Sequence, residues 1–204
     1  QGRAVMRVAV VDSGGANIGS VCYAFQRLGV EARLTADADV IRKADRVVLP
    51  GVGAAAAAMR TLAGHGLVEV LRMLDRPLLG ICLGMQLLFE HSEEGAVDCL
   101  GLLPGVVRRL APAPGLRVPH MGWNRLRARA RSPLLQGVAD GAQAYFVHSY
   151  AAPVTSDCIA ATTHGEPFAA MVQRGSVAGA QFHPERSAAT GARILENFLR
   201  GGGR

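Results

Sequence analysis

The sequence contains little lysine and few aromatic residues. Lys43 is the only lysine, so arginine carries nearly all of the positive charge behind a formal net charge of +6. Aromatic residues make up 5% of the chain, which leaves few rings on which nucleic-acid bases could stack. The arginines are scattered, apart from a denser stretch between Arg108 and Arg131. We therefore expect no nucleic-acid partner, and an acidic partner protein or an anionic small molecule stays open.

Long apolar runs are also absent. The two longest uncharged stretches, Val47–Met59 and Pro77–Phe89, are interrupted by Pro, Gly or Gln and are too short to span a bilayer. Val5–Val11 is broken by Arg7 and leads into a polar turn instead of a small-residue cleavage site. We expect a soluble protein of the cytoplasm without a membrane partner.

Cysteine is sparse and dispersed. The four cysteines form no CxxC pair, and no histidines cluster at the spacing of zinc ligands. A disulfide scaffold is not expected at this chain length and cysteine content. We therefore predict neither a metal nor a cofactor, and the chemistry of a cysteine here depends on its local surroundings.

Apolar strands and amphipathic helices alternate in the first half of the chain. The predicted strands are Val5–Val11, Val30–Leu34, Arg46–Leu49 and Pro77–Ile81. The predicted helices are Ile18–Leu28, Ala54–Asp75 with an interruption near Gly64–Gly66, and Leu83–Glu90. This β-turn-α repetition predicts a parallel sheet with helices on both sides.

The pattern changes after Gly95. Short β-like runs, separated by Pro and Gly, indicate an antiparallel extension beside the parallel sheet. These runs are Val106–Arg109, Trp123–Ala128, Tyr145–Tyr150, Ile159–Thr163, Ala169–Gln173 and Val177–Gln181. A final helix is predicted at Ala188–Leu199, and no linker or repeat divides the chain. We predict an α/β fold in a single domain over residues 1–204.

The segment Gly80-Ile81-Cys82-Leu83-Gly84 has the pattern of a nucleophile elbow. It follows an apolar strand and opens a helix, and glycines stand two positions on either side of the cysteine. A helix N-terminus directs amide N–H groups at the sulfur and favours the thiolate. The Leu83 amide would then lie where an oxyanion forms. The alternative is a buried structural cysteine in a glycine-rich turn.

A base for this thiol is offered by Gln181-Phe182-His183-Pro184-Glu185. His183 and Glu185 are two positions apart, so on an extended segment both side chains point the same way. The carboxylate could hold the imidazole tautomer while the other ring nitrogen faces the sulfur. Pro50-Gly51-Val52-Gly53 follows a strand that we expect beside the Cys82 strand. This loop could supply a second oxyanion amide, or it could be an ordinary connection.

Together these segments resemble the class I (triad) glutamine amidotransferases, a family with a flavodoxin-like fold. The match includes PGVG at Pro50–Gly53, GICLGMQ at Gly80–Gln86 and QFHPE at Gln181–Glu185. Within that family, PHMGWN at Pro119–Asn124 and YFVHSY at Tyr145–Tyr150 are similar to the glutaminase subunits of imidazole glycerol phosphate synthase.

The resemblance implies a role for each matched residue. Cys82 is the nucleophile that attacks the glutamine side-chain amide, His183 moves the proton, and Glu185 orients His183. The oxyanion amides are those of Val52 and Leu83. The positions implied to bind L-glutamine are Gly53, Gln86, Glu94, Ser149 and Tyr150.

The resemblance also implies a partner. Ammonia would pass to a separate (β/α)8 cyclase subunit, in a heterodimer that serves the fifth step of histidine biosynthesis. The residues implied at this interface are Asn17, His120, Trp123 and Asn124. The chain is too short to contain the synthase domain as well.

Three other functions remain open from the residues alone. A stand-alone cysteine hydrolase would take its histidine soon after the cysteine, and His91 would be the candidate. A binding module would leave Cys82 inert. A nucleic-acid binder would show steeply salt-dependent affinity.

Overall fold

Strands and helices alternate along the first half of the chain in the computed structural model, which describes residues 5–15 and 18–201. In chain order the elements are β1 (Val8–Val11), α1 (Ile18–Arg27), β2 (Ala32–Thr35), α2 (Ala38–Lys43), β3 (Arg46–Leu49), α3 (Ala55–Gly64), α4 (Val68–Arg72), β4 (Leu78–Ile81) and α5 (Leu83–Gln86). Every residue of β1, β3 and β4 is buried. Burial on both faces is the reason that these strands lack an alternating polar pattern.

The second half is mostly β structure. Its strands are β5 (Phe89–Ser92), β6 (Val97–Asp98), β7 (Leu103–Arg109), β8 (His120–Arg125), β9 (Arg127–Ala128), β10 (Gln143–His148), β11 (Tyr150–Ala151), β12 (Cys158–His164), β13 (Glu166–Arg174) and β14 (Val177–Ala180). Short 3₁₀ turns occur at Pro133–Leu135 and Pro184–Arg186, and the last helix is α6 (Ala188–Leu199).

The central sheet has eight strands in the order β2-β1-β3-β4-β14-β13-β12-β9. The five strands from β2 to β14 are parallel, and β13, β12 and β9 add antiparallel pairs at one edge. This arrangement confirms the predicted mostly parallel sheet with an antiparallel extension. A four-stranded sheet (β11-β7-β5-β6) and a two-stranded sheet (β10-β8) lie beside it.

One local prediction was incomplete and another was wrong. The run Val177–Gln181 was assigned to the antiparallel extension, and β14 does pair antiparallel with β13, but it also pairs in parallel with β4, with Gly179 opposite Gly80. Its small residues allow it to lie between the two hydrophobic cores. The helix predicted over Leu83–Glu90 ends at Gln86, and Phe89 begins β5. Phe89 is completely buried and β5 pairs with β6 and β7, so tertiary pairing overrides helix propensity there.

Helices cover both faces of the sheet. Apolar residues of α1 and α6 pack on one face, in a core that contains Phe25 and Phe198. Those of α2, α3 and α4 pack on the other face, in a core that contains Leu62. Each such fully buried side chain contributes about 1.5–3 kcal/mol to folding relative to an exposed one. Across the described ranges, no helix is both long and apolar enough to cross a membrane.

Candidate active site

Cys82 lies at a tight turn between β4 and α5, with a φ of +54°. Residues other than glycine rarely have a positive φ. Holding such a residue in this backbone conformation costs about 1–3 kcal/mol. A Cβ at Gly80 would lie 2.6 Å from the Gly84 oxygen, and a Cβ at Gly84 would lie 1.7 Å from the Leu49 oxygen. Only glycine fits at either position. The turn therefore has the geometry that the sequence pattern predicts for a nucleophile elbow.

Two neighbouring parallel strands bring Cys82 and His183 together. Cys82 follows β4 and His183 lies just beyond β14, where Ala180 is the partner of Ile81. The carboxyl ends of parallel strands meet at one edge of the sheet, which is the usual ligand edge in α/β proteins. His183 and Cys82 line the same cavity there.

Glu185 completes the arrangement. Its Oε1 lies 2.8 Å from His183 Nδ1, and the two side chains are only 4% and 8% exposed. Pro184–Arg186 forms a 3₁₀ turn, so the two side chains meet across a turn and not along the extended segment expected from sequence. Ser187 fixes that turn, because its hydroxyl donates to the His183 carbonyl at 2.7 Å and accepts from the Tyr145 amide at 2.9 Å.

The surroundings of His183 favour its protonated form. Burial lowers the pKa of His183, but hydrogen bonds to Cys82 and Glu185 and the negative charges of both groups raise it to about 10. The ring is therefore an imidazolium at neutral pH. Because Nδ1 is held by Glu185, Nε2 is the nitrogen that remains for the sulfur and for a leaving group.

Cys82 and His183 open into a cavity of about 230 Å³, which is below the roughly 300–1,000 Å³ of drug-sized ligand sites and limits the ligand to a small molecule. The cavity is lined by every residue that the resemblance implied for glutamine and for the oxyanion, namely Val52, Gly53, Leu83, Gln86, Glu94, Ser149 and Tyr150. These residues come from four separate segments of the chain. A larger cavity of about 710 Å³ lies at the amino end of the sheet and contains none of the triad.

The polar side chains of this cavity are held by specific partners. Gln86 Nε2 donates to the Tyr150 carbonyl at 2.8 Å and to Gln181 Oε1 at 2.9 Å. Glu94 Oε1 accepts the Ala55 amide at 2.8 Å, which places the carboxylate at the N-terminus of α3, where its charge is favourable. Both side chains are thus oriented before a ligand arrives.

Gln181 has a role that sequence reasoning missed. It is fully buried, and its Nε2 donates to Cys82 Sγ at 3.8 Å. The motif QFHPE contained this residue, but only His183 and Glu185 were given roles. A polar residue in an apolar strand end, two positions before the histidine, was the available signal, since a buried amide needs partners.

The predicted interface residues differ in how exposed their side chains are. Asn17 lies outside the described residues. Trp123 is 50% exposed, and the Asn124 side chain donates to the Thr163 carbonyl. His120 is only 4% exposed in the chain by itself, so its side chain faces inward, and its place at a partner interface stays a prediction. Strand alternation explains this result, because His120 and Asn124 share one face of β8 while Met121 and Trp123 occupy the other.

His91, the histidine of the alternative hydrolase, lies elsewhere. Its Nδ1 is 2.9 Å from Asp98 Oδ1 on the neighbouring strand, and it does not line the cavity of Cys82. Among the described residues, no group of three or more His, Cys, Asp or Glu side chains is arranged to hold a metal ion.

Comparisons with known proteins agree with this geometry. The profile of the family described as glutamine amidotransferase class-I matches residues 9–201. Imidazole glycerol phosphate synthase subunit HisH of Xanthomonas axonopodis pv. citri is 65% identical over 94% of this chain and 96% of its own length. The subunit of the same name from Xylella fastidiosa (strain Temecula1) is 66% identical over the same shares.

The fold is also found among solved structures. A crystal structure of a glutamine amidotransferase aligns with a TM-score of 0.74 and 20% identity, covering 97% of this chain and 99% of that chain. At that identity the likeness concerns the fold alone. The profile match covers most of the chain and the sequence relatives match nearly end to end. This chain therefore belongs to the class-I glutamine amidotransferase family.

Proposed function

We propose that this chain is the glutamine-hydrolysing subunit of an imidazole glycerol phosphate synthase. The observation that carries the proposal is the buried His183–Glu185 pair beside Cys82 at the wall of a small cavity. The names of relatives about two-thirds identical, imidazole glycerol phosphate synthase subunit HisH, support it.

The reaction begins at the sulfur. Cys82 passes its thiol proton to His183 Nε2, and Sγ attacks the side-chain amide carbon of glutamine. The amide oxygen becomes an oxyanion, to which we assign the Leu83 and Val52 backbone amides as donors. His183 gives its proton to the amide nitrogen, the C–N bond breaks, and ammonia leaves. A γ-glutamyl thioester remains on Cys82.

Water completes the cycle. It attacks the thioester carbon while His183 takes one of its protons, and the C–S bond breaks to release glutamate. Glu185 keeps the ring oriented and stabilises its positive charge through both half-reactions. The raised pKa of His183 suits the first half, because the proton is already on the ring when ammonia must leave.

The cavity fits the amino-acid end of glutamine. The Glu94 carboxylate offers a partner for the substrate ammonium group, and Gln86 offers an amide beside it. Gly53, Ser149 and Tyr150 supply backbone and hydroxyl groups around the same space. We assign these five residues to substrate binding.

A cyclase partner follows from the subunit role. We propose that it is a separate (β/α)8 subunit, which takes the ammonia to make imidazole glycerol phosphate and an aminoimidazole carboxamide ribotide. Met121 and Trp123, which are 64% and 50% exposed on β8, give an apolar surface for this contact. All four cysteines are free thiols, as is usual in a reducing compartment, and we place the heterodimer in the cytoplasm.

The test is glutamate release from glutamine by the chain with its cyclase subunit. Cys82→Ala and His183→Ala should each lower kcat by more than about 10³-fold, while His91→Ala should keep normal turnover. Wild-type turnover in His183→Ala would contradict the triad, and loss in His91→Ala would favour the alternative hydrolase. We expect slow hydrolysis by the chain alone and faster hydrolysis with the cyclase subunit, and equal, fast hydrolysis in both would contradict that expectation.

A further inference from the structure

We propose that His120 and His148 are positioning residues, which form a buried hydrogen-bond relay from the β8 side chain of Asn124 to the backbone that holds Gln86 in the active site. The proposal rests on the proposed glutaminase function and adds to it. Neither histidine belongs to the triad, and the family resemblance gave His148 no role.

Three contacts make up the relay. Asn124 Nδ2 is 3.3 Å from His120 Nε2, His120 Nδ1 is 3.0 Å from His148 Nε2, and His148 Nδ1 is 2.8 Å from the Tyr150 carbonyl. Both histidines are buried. A buried chain of this kind strengthens itself because each hydrogen bond polarises the next.

The direction of every proton in the relay is fixed by its ends. Asn124 Oδ1 accepts the Arg125 amide at 2.8 Å, and Nδ2 also donates to the Thr163 carbonyl at 2.9 Å, so the amide nitrogen is assigned without ambiguity. His120 Nε2 must then accept, and its Nδ1 must donate to His148. His148 Nδ1 in turn donates to a carbonyl oxygen. Each ring is neutral and carries its proton on Nδ1.

The charge state agrees with these assignments. Burial lowers the pKa of His120 to about 4, with a smaller contribution from His164. Burial also lowers the pKa of His148 to about 3, and the positive charges that His120, His164 and His183 can carry lower it further. Both rings are therefore uncharged at neutral pH.

The inner end of the relay connects to the nucleophile. The Tyr150 carbonyl that accepts from His148 also accepts from Gln86 Nε2 at 2.8 Å. Gln86 donates to Gln181 Oε1 at 2.9 Å, and Gln181 Nε2 donates to Cys82 Sγ at 3.8 Å. The position of one backbone carbonyl thus affects both the proposed substrate-binding amide and the environment of the sulfur.

The outer end of the relay lies on the strand that carries the exposed apolar pair. Met121 and Trp123 alternate with His120 and Asn124 along β8, so a partner that presses on one face moves the groups on the other. Six residues of β8 pair with six of β10, including His120 with His148. The relay therefore gives partner contact a physical route to the glutamine cavity.

The experiment compares three variants in the complex with the cyclase subunit. His148→Phe keeps ring volume beside Phe168, whose ring centroid is 4.9 Å away, but removes both hydrogen bonds. We expect it to lower kcat for glutamine hydrolysis about 10- to 100-fold, with a smaller change in KM, because the reacting groups are misplaced. His148→Asn keeps a donor near the Nδ1 position and should restore most of kcat.

His164→Phe is the matched control. His164 stacks on His120 with centroids 4.3 Å apart, but its hydrogen bond goes to the Arg117 carbonyl, outside the relay. It should stay within about twofold of wild type. Equal losses in His164→Phe and His148→Phe would mean that ring packing alone matters, and wild-type kcat in His148→Phe would overturn the proposal.

A second measurement does not depend on glutamine or on the variants folding. The ¹⁵N shifts of His120 and His148 in the wild-type chain should report the neutral Nδ1–H tautomer from pH 6 to 8. Nε2–H tautomers or charged rings would overturn the relay. If wild type and Cys82→Ala were equally inactive on glutamine while the tautomers were as expected, the proposed function would fail and the relay geometry would stand.

Discussion

At the scale of single residues, the position and charge of His183 depend on its buried ion pair with Glu185. Glu185 Oε1 holds His183 Nδ1, while Glu185 Oε2 is buried without a hydrogen-bond partner. An unpartnered buried carboxylate oxygen is costly, so the negative charge of Glu185 is compensated mainly by the His183 ring. Removing that charge should therefore change the pKa of His183 more than the folding of the chain.

Glu185→Gln tests this dependence. Burial opposes the charge on His183, and Cys82 and Glu185 raise its pKa to about 10, so the amide should bring that pKa down. The imidazolium would be lost at lower pH, and the alkaline limb of the kcat/KM profile should move toward neutral pH, with kcat about 10²-fold lower. The profile from pH 6 to 10 provides the measurement, and an unchanged alkaline limb would contradict the assignment.

The same pair has a consequence for stability. The pKa of His183 in the folded chain lies above the ordinary value of 6.5, so the folded state holds a proton that the unfolded state releases. The stabilisation is complete below 6.5 and is lost as the pH rises toward about 10. Urea unfolding of Glu185→Gln should show a weaker alkaline loss than wild type.

At the scale of elements, local patterns predicted what depends on local chemistry. The elbow could be predicted because its glycine spacing around the cysteine is a local sequence pattern, although Gly84 is required by the neighbouring strand β3, through the Leu49 oxygen. The strands β1, β3 and β4 could be predicted because a strand that is buried on both faces has a continuous apolar sequence. The end of α5 and the parallel pairing of β14 could not be predicted from local patterns. Both depend on pairing with strands from other parts of the chain. Gln181 and the inward side of His120 were missed for the same reason.

The β8–β10 pair should make the fold acid-sensitive. Burial lowers the pKa of His120 to about 4, well below 6.5, and His148 behaves in the same way. Between pH 6.5 and about 4 the unfolded chain binds protons at these sites that the folded chain does not. His183 adds nothing to this slope because it is charged in both states there.

Urea unfolding at pH 7 and pH 5 measures this effect. The unfolding free energy of wild type should be lower at pH 5, and His120→Phe should reduce the difference, since one of the two sites is gone. His65→Gln, at an exposed histidine at the end of α3, should leave the difference unchanged. A pH dependence equal in wild type and His120→Phe would contradict the assignment of buried neutral rings.

At the scale of the whole molecule, one strand of the fold separates the proposed triad from the surface that we propose for the partner. The triad comes from adjacent parallel strands, and the two-stranded β8–β10 sheet covers it with His148 at the cavity and Trp123 outside. The single-domain organisation over 1–204 stays a prediction. This arrangement means that damage to the outer face of β8 should weaken assembly before it affects the triad.

Trp123→Ala tests the partner surface. Trp123 is 50% exposed and packs edge to face on Tyr145, with ring centroids 5.9 Å apart. An exposed aromatic side chain that is held in this way is typical of the residues that dominate the binding energy of interfaces. Its loss should raise the Kd for the cyclase subunit by at least about 30-fold, while the alkylation rate of Cys82 in the isolated chain stays within about twofold. Isothermal titration calorimetry measures the first quantity and thiol labelling the second.

Met73→Ala is the control for Trp123→Ala. Met73 is 80% exposed at the end of α4, among elements that cover the sheet and not the β8–β10 pair. Its loss removes a comparable apolar side chain from the surface, so the Kd should change by less than about twofold. Equal losses in Met73→Ala and Trp123→Ala would show that the effect is not specific to β8, and an unchanged Kd in Trp123→Ala would mean that the partner docks elsewhere. The relay would then have no partner at its outer end, because β8 would be a free surface in the complex.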